Sequence, residues 1–436
     1  MLKSLLYIVL VGLGFLWGLG APLHAAIVNL QMYFVDPKVM IRDSDFQRYQ
    51  FISFMLLPST LLIYGTGRLR KVGNEGRTVV CMWLYGLVCI ASSLWAVVDA
   101  EVAYAVSTEF FKTIMVAGLL PFVVRNRRDF DLLVVACLIG VAHFAFLETI
   151  GKHHTSLVGK AQRILTDRHG SVLLLFLPLT LLLGMYGKKW ERLMCWGMVP
   201  LILDVIIRNN HRAYFVGIIV QMGLFAILLP KRVVVKVMPI MLAGVLLFVF
   251  VLTPPQYWNR MATITSPTEE SSANSRFVIN KASLEMLKDY PLGVGYKNYA
   301  RVMNRYIDGD MTKAAHNTFF SVACQTGFLG FGLWSTAVFG SLVLFRRVRR
   351  RLNFRNIDRL ALYGMGFEIG LYGTLAGDCF HNGHETDPVY WFVSFGVIMT
   401  RLHKRFPQQE IALPTLDRAP LYEPLRLPSR PSPIRI

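Results

Sequence analysis

The sequence predicts an all-α membrane protein, a polytopic transmembrane helix bundle with one long external loop that contains short helices. Of its 436 residues 54% are hydrophobic and only 17% are charged, whereas soluble domains carry about 25% charged residues. The apolar residues also cluster in runs such as 172–187 and 238–252. Because about 20 mostly apolar residues cross a bilayer as a helix, the chain has room for about twelve spans.

The predicted spans follow the apolar runs in chain order. They cover residues 4–34, 48–66, 78–98, 104–124, 131–149, 170–187, 191–207, 212–229, 233–253, 317–345, 358–377 and 388–402. The first run is the longest, and Pro22 is a candidate break within it because proline interrupts helical hydrogen bonding.

Alternate loops between these spans are rich in Lys and Arg. The basic loops are residues 67–77, 125–129, 188–192, 230–232 and 346–359. Basic loops stay on the cytoplasmic side, so the alternation predicts that both chain ends are cytoplasmic. The other segments are then external, namely 35–47, 99–103, 150–169, 208–211, 254–316 and 378–387.

These loops also account for the net charge of +19, so we expect no nucleic-acid partner. The six cysteines show no paired spacing, and neither a disulfide framework nor a Cys-rich metal site is predicted. Residues 1–402 form one transmembrane domain in this interpretation. Residues 403–436 are rich in Pro and Arg and are predicted to be a disordered cytoplasmic tail.

The longest external loop, 254–316, carries two recognisable features. Residues 275–290 are compatible with a short helix, and PLGVGYKNY (291–299) is typical of a turn-rich loop. Gly293 and Gly295 either turn the chain or let its backbone approach a phosphate, and we favour the turn.

Several ionisable residues fall inside predicted spans, where they are costly and mark candidate functional positions. Glu109 and Lys112 are three residues apart and are expected to pair on one helix face. The others are His143, Glu148, Asp204, Glu368 and Asp378. Most fall in the outer half of the membrane, so they either neutralise one another or line a common outward-facing cavity.

Arginine also collects in the external segments, where topology does not require it. The candidates are Arg163, Arg168, Arg208, Arg212 and Arg276. A single such side chain is explained by contact with lipid headgroups. Several at one cavity mouth fit an anionic ligand better, because the guanidinium binds phosphate through a planar fork of donors.

Three motifs carry a resemblance to a known family. HNTFFSVACQTGFLGFGLW (316–334) resembles the His-Asn motif and following Gly-rich helix of the O-antigen ligase and polymerase superfamily. In that family a long periplasmic loop precedes the motif, with an Arg and a P-x-G-x-G turn, which here match Arg276 and PLGVG (291–295). HRAYFVG (211–217) is similar to the family's Ser-Arg-Gly span start with Arg212 in the Arg position, although His211 and Ala213 depart from Ser and Gly.

The resemblance implies a glycosyltransferase in the bacterial inner membrane with a periplasmic active site. It implies a glycan donor linked to undecaprenyl pyrophosphate. The acceptor is a lipid A-core sugar in ligases, another repeat unit in polymerases and a protein hydroxyl in O-oligosaccharyltransferases. Membrane lipids are the remaining expected partners.

The same resemblance suggests roles for individual residues. His316 is the candidate general base, because imidazole accepts protons near neutral pH. Arg212 and Arg276 are the first candidates for the pyrophosphate, ahead of Arg163, Arg168 and Arg208. No metal or other cofactor is expected, since Arg can neutralise the leaving group.

The polar residues around His316 have alternative interpretations. Asn317 either orients the base and binds sugar or simply caps a helix. His211 is a further candidate for substrate binding. The cluster GDCFHNGHETDP (377–388) repeats a His-Asn pair, and His381, His384, Glu385 and Asp387 can bind sugar, tune the base or hold a metal.

A transporter or flippase for lipid-linked glycans is the competing prediction from another class. Such proteins commonly have inverted repeats and polar residues along a central path. The outward bias of the polar residues and the single long loop favour the enzyme.

Overall fold

The computed structural model describes residues 2–34, 48–64, 73–151, 161–209, 211–231, 233–235, 271–307, 315–354 and 356–405. Helices dominate these ranges, which confirms the all-α class. The helices are α1 (Leu2–Gly18), α2 (Pro22–Phe34), α3 (Arg48–Tyr64), α4 (Arg77–Ala91), α5 (Ala100–Val123), α6 (Arg127–Gly151), α7 (Ala161–Tyr186), α8 (Lys189–Asn209), α9 (Arg212–Leu228), α10 (Ser271–Asp289), α11 (Tyr299–Met303), α12 (Thr318–Arg349), α13 (Arg359–Asp378) and α14 (Asp387–Arg405). Short 3₁₀ turns at Asn74–Gly76 and Ser92–Trp95 flank α4.

Four helical segments of the described residues are long and apolar enough to cross a membrane. They are Asn74–Trp95, Ala100–Val123, Arg127–Ile150 and Thr318–Arg349. Shorter apolar helices cover Val9–Gly18, Phe54–Tyr64, Gly170–Tyr186 and Ala213–Leu228. The count of twelve spans stays a prediction. The predicted span 233–253 and the predicted tail 403–436 lie largely outside the described residues.

The first apolar run is two helices rather than one. α1 ends at Gly18 and α2 begins at Pro22, which suits the first position of a helix because proline has no N–H to leave unpaired. Trp17 and His24 stack across the break with ring centroids 4.0 Å apart.

The centre of the bundle is α13, whose residues are almost all buried. It packs against α7, α9, α12 and α14. Small residues allow this approach: a Cβ on Gly370 would lie 2.1 Å from the carbonyl oxygen of Leu175 in α7. Close backbone contact at glycine is a common way to pack membrane helices, since lipid tails supply no hydrophobic drive between them.

Three ion pairs each join two segments for which the sequence predicts the same side of the membrane. At one end Arg127 pairs with Asp358 (2.9 Å) and Lys404 pairs with Glu75 (2.8 Å). These contacts join the basic segments predicted to be cytoplasmic. At the other end Arg301 pairs with Asp99 (2.5 Å), which joins two segments predicted to be external.

Two carboxylates inside predicted spans form ion pairs. Lys112 and Glu109 pair as expected, with Nζ and Oε1 2.5 Å apart. Glu368, which lies near the middle of a predicted span, has its carboxylate paired with Arg349, which belongs to the basic segment 346–359. The long Arg side chain reaches along the helix to this depth while its backbone stays near the helix end.

Candidate functional site

The His-Asn motif stands directly before α12, and its backbone is unusual. His316 is exposed and has a φ of +45°, a left-handed conformation that non-glycine residues rarely adopt. Such a residue costs about 1–3 kcal/mol and persists only where its surroundings hold it. The conformation of His316 therefore depends on the contacts of its neighbours.

Asn317 is the N-cap of α12. Its Oδ1 accepts hydrogen bonds from the backbone N–H groups of Phe319 (3.0 Å) and Phe320 (3.2 Å), which have no partner inside the helix. The capping alternative is thus present in the structure. A role of Asn317 in sugar binding stays a prediction.

The turn that contains the second His-Asn pair (381–383) is hydrogen-bonded to the start of α12. The Asn317 N–H donates to Oδ1 of Asn382 (3.2 Å). The Thr318 hydroxyl donates to the carbonyl of His381 (2.8 Å) and accepts from the N–H of Gly383 (2.7 Å). Thr318 is completely buried, so these bonds are shielded from water. The HNG turn (381–383) and the HNT motif (316–318) thereby form one interlocked unit.

The start of α9 reaches the same place. The ring of His211, which immediately precedes α9, lies 5.9 Å from that of His381 between centroids. Tyr214 in the first turn of α9 lies 6.1 Å from His381. The structure therefore brings His211, His381 and the His316–Asn317 motif together from three distant parts of the chain.

Helix α12 is broken, and the PLGVG loop (291–295) fills the break. Gly327 has a φ of +68° and interrupts the helix. The N–H groups of Val294 and Gly295 donate to the carbonyls of Cys324 (2.8 Å) and Gln325 (3.1 Å). On the other side Phe328 donates to the carbonyl of Pro291 (3.1 Å). The loop so satisfies backbone groups that a broken helix would leave unpaired within the protein.

The two glycines of the loop are needed for this contact. Gly293 and Gly295 have φ values of +86° and +95°, which favour glycine. A Cβ on Gly293 would lie 2.5 Å from the N atom of Gly327. This geometry agrees with the turn interpretation.

A largely buried charged group lies where the PLGVGYKNY loop meets the 377–388 cluster. Lys297 pairs with Glu385 (Nζ to Oε1, 2.5 Å), and Nε2 of His384 lies 3.4 Å from the same Oε1. The Lys297 N–H donates to Oε1 of Gln325 (2.6 Å). Burial alone would raise the pKa of Glu385, but hydrogen bonds and positive charges from His384 and Lys297 outweigh burial and hold this pKa well below its usual range.

The 377–388 cluster does not gather metal ligands in the described part of the chain. No group of three His, Cys, Asp or Glu side chains lies close enough there to hold an ion. Instead His384 and Glu385 form the contacts with Lys297 described above. Asp387 begins α14 and accepts from the hydroxyl of Thr113 in α5 (3.3 Å).

The predicted short helix of the long loop is α10, and it is fixed to α12. Cys324 Sγ donates to the carbonyl of Ser283 (3.3 Å), and the Ser283 and Tyr299 hydroxyls are 2.6 Å apart. A small second core joins α10, the PLGVG loop and Ala315, the residue before His316. The helix that carries Arg276 is therefore tied to the His-Asn motif.

For the five predicted arginines the structure describes the backbone position but not the side chain. Arg163 and Arg168 lie in α7, Arg208 in α8, Arg212 at the first position of α9 and Arg276 in α10. Their side chains lie outside the described part of the structure, so contact with an anion stays a prediction for each.

Four helices of membrane-spanning length and composition indicate a membrane protein. Its candidate site is formed by segments that connect the helices. In a comparison with protein families, residues 196–335 match the model of the O-antigen ligase family. The matched region contains the HRAYFVG, PLGVG and His-Asn motifs, which confirms the family resemblance. No curated protein matches the chain.

Two features of this site were not predicted from the sequence. Thr318, Asn382 and Gly383 form the interlocked unit, and their only sequence signal was the repeated His-Asn pair. The partnership of Lys297 with Glu385 had no signal, because neither residue type nor spacing predicts which loops meet.

Proposed function

We propose that the protein is an inner-membrane glycosyltransferase of the O-antigen ligase type. It transfers a glycan from undecaprenyl pyrophosphate to a lipid A-core sugar on the periplasmic face. The observation that carries the proposal is the position of the family match, which spans the His-Asn motif and the start of α9. In the fold these two motifs meet through His381.

The reaction is a substitution at the anomeric carbon of the donor sugar. The oxygen of the acceptor hydroxyl forms a bond to this carbon while the bond from the carbon to the pyrophosphate oxygen breaks. Undecaprenyl pyrophosphate leaves with the bonding electron pair, and the acceptor proton passes to the imidazole of His316. Because the donor is already activated, the step needs no nucleotide.

The leaving pyrophosphate gains negative charge, and fixed cations stabilise it most where charge develops. In the proposal Arg212 and Arg276 supply this charge, with Arg163, Arg168 and Arg208 in supporting positions. Arg suits the role because its planar guanidinium donates two parallel hydrogen bonds and stays charged. No metal is required in this scheme.

Recognition of the sugars falls to polar side chains around the base. Asn317 directly follows His316, His381 and His211 lie next to this motif, and Asp387 begins α14 at the end of the 377–388 cluster. His211 and His381 are supported by their mutual approach. The bundle end with these residues would face the periplasm, with both chain ends in the cytoplasm, as the distribution of basic loops favours.

A reconstituted transfer assay tests the proposal. Purified protein in liposomes is given undecaprenyl pyrophosphate-linked glycan, lipid A-core acceptor and excess chelator, and the products are separated on a gel. A shifted lipid A-core ladder is expected. Full activity in chelator would support charge neutralisation by Arg rather than by a divalent cation.

Other outcomes identify the alternatives. Longer glycan chains on the undecaprenyl carrier would make the protein a polymerase, and transfer to an added protein hydroxyl would make it an O-oligosaccharyltransferase. If competent substrates give no covalent product, the enzyme proposal fails. A flipping assay with the same labelled donor then tests the transporter.

A further inference from the structure

We infer that Thr318 and Asn382 are positioning residues that hold His316 in its left-handed backbone conformation, and that this is the role of the second His-Asn pair. The inference rests on the proposed function, in which His316 is the general base. It assigns a purpose to the 381–383 turn that neither the family match nor the sequence motifs supply.

The backbone of His316 is strained. Lys297 and His316 are the two non-glycine residues with positive φ among the described residues, and both belong to this site. A strained residue relaxes unless its neighbours prevent it. The residue that carries the proposed base thus depends on outside support.

The 381–383 turn supplies that support. Asn382 accepts from the backbone N–H of Asn317, the peptide group directly after His316. Thr318 is bonded in both directions, donating to the His381 carbonyl and accepting from the Gly383 N–H. Three hydrogen bonds from one turn therefore fix the two residues that follow His316.

This support is distinct from the capping of α12. The cap of α12 is made by the Asn317 side chain with Phe319 and Phe320, and it uses neither Thr318 Oγ1 nor Asn382. The helix can therefore begin correctly without the 381–383 turn. What the turn adds is the orientation of the peptide between His316 and Asn317.

The 381–383 turn also contacts the start of α9, the other half of the proposed site. His381, whose carbonyl receives the Thr318 hydroxyl, also approaches His211 and Tyr214 at the start of α9. The turn so sets the place of His316 relative to the helix that begins with Arg212. A displacement of about 1 Å can cost about 100-fold in rate. The position of His316 relative to the start of α9 should therefore affect the rate of transfer.

The test compares Thr318→Val with Thr318→Ser in the reconstituted assay. Valine keeps the shape but loses the hydrogen bonds of the hydroxyl, which include those to His381 and Gly383, whereas serine keeps the hydroxyl. Thr318→Val should lower kcat by about 10–100-fold with little change in the KM for donor. Thr318→Ser should restore most of the rate. Thr374→Val is the matched control, because Thr374 is buried and its hydroxyl donates to the Gly370 carbonyl of its own helix.

Asn382 gives a second, independent pair of variants. Asn382→Asp keeps an oxygen acceptor for the Asn317 N–H and should retain transfer, whereas Asn382→Ala removes it and should lower kcat. This pair decides the matter if Thr318→Val does not fold.

The outcomes separate this inference from the proposed function. If His316→Ala is inactive but Thr318→Val and Asn382→Ala transfer at the wild-type rate, the positioning role is wrong and the base assignment stands. If His316→Ala transfers normally, the proposed base is wrong. A fall in kcat that serine and aspartate do not rescue would also overturn the positioning role.

Discussion

Phe328 donates its backbone N–H to the carbonyl of Pro291 on the far side of the helix break at Gly327. With the bonds from Val294 and Gly295 to α12, this contact makes the PLGVG loop a substitute for the missing helical turn. The long external loop is thereby anchored to the helix that begins with the His-Asn motif. The anchor explains how a helix can be interrupted without leaving buried backbone groups unpaired.

Replacing Gly327 should detach this anchor. In Gly327→Ala the new Cβ would lie 2.4 Å from the carbonyl oxygen of Pro291, at a φ of +68°. We expect a loss of at least about 2 kcal/mol in stability, from backbone strain and the displaced loop. Thermal unfolding in detergent and protease cleavage within residues 291–299 measure it.

Gly332→Ala is the matched control on the same helix, since no atom lies within 4 Å of its added Cβ. It should leave stability unchanged or raise it by up to about 1 kcal/mol. Equal behaviour of the two variants would show that the break at Gly327 is not required.

The opposite end of the bundle should depend on the ion pairs of Arg359, of which the one with Glu191 is the most buried. Arg359 donates to both carboxylate oxygens of Glu191, at 2.6 and 2.9 Å, and Glu191 is only 1% exposed. Glu191→Gln should destabilise the protein by about 1–3 kcal/mol, because it weakens a buried, charged hydrogen-bonding pair while Asp131, whose Oδ2 lies 3.1 Å from Nε of Arg359, still supplies a counter-charge. Chemical or thermal unfolding in detergent reports the change.

Glu109→Gln provides the comparison for that measurement. Its partner is Lys112, and the Glu109 side chain is 69% exposed, so its loss should cost no more than about 0.5 kcal/mol. Similar losses in both variants would contradict a structural role for the Arg359–Glu191 pair.

Acid should weaken the site through Glu385. Its folded pKa is held below the ordinary value of 4.5, so the unfolded chain binds a proton first as the pH falls. The stabilisation is therefore complete at neutral pH and is lost as the pH drops below about 4.5 towards the folded pKa. Unfolding temperatures of wild type and Glu385→Gln, measured from pH 7 to pH 3, should differ most at neutral pH and converge in acid. A constant difference across that range would show that the carboxylate charge is not what stabilises this site.

The sequence was most informative where local chemistry decides the structure. Apolar runs predicted most helices, Pro22 indicated the break between α1 and α2, and Asn317 was a candidate cap on residue type alone. Each depends on a few neighbouring residues and on the helical period, which can be read without knowledge of the fold.

The sequence was least informative where distant segments decide the structure. Gly327, Gly330 and Gly332 look alike in a Gly-rich helix, and only the contact with the PLGVG loop selects Gly327 as the break. The sequence placed Glu368 near the middle of a predicted span, but its partner Arg349 could not be identified from the sequence, because the pairing depends on how α12 and α13 pack. The interlocked 316–318 and 381–383 segments likewise depend on how α12 and α13 pack.

The most direct test of the central claim is single-turnover transfer from the lipid-linked donor to lipid A-core, comparing wild type with His316→Ala. The control is His24→Ala, a histidine stacked on Trp17 between α1 and α2. Removal of a general base should slow transfer by about 100-fold or more, whereas His24→Ala should transfer at the wild-type rate, with both variants equally folded by size-exclusion profile. Transfer by His316→Ala within a few-fold of wild type would contradict the assignment of His316 as the base.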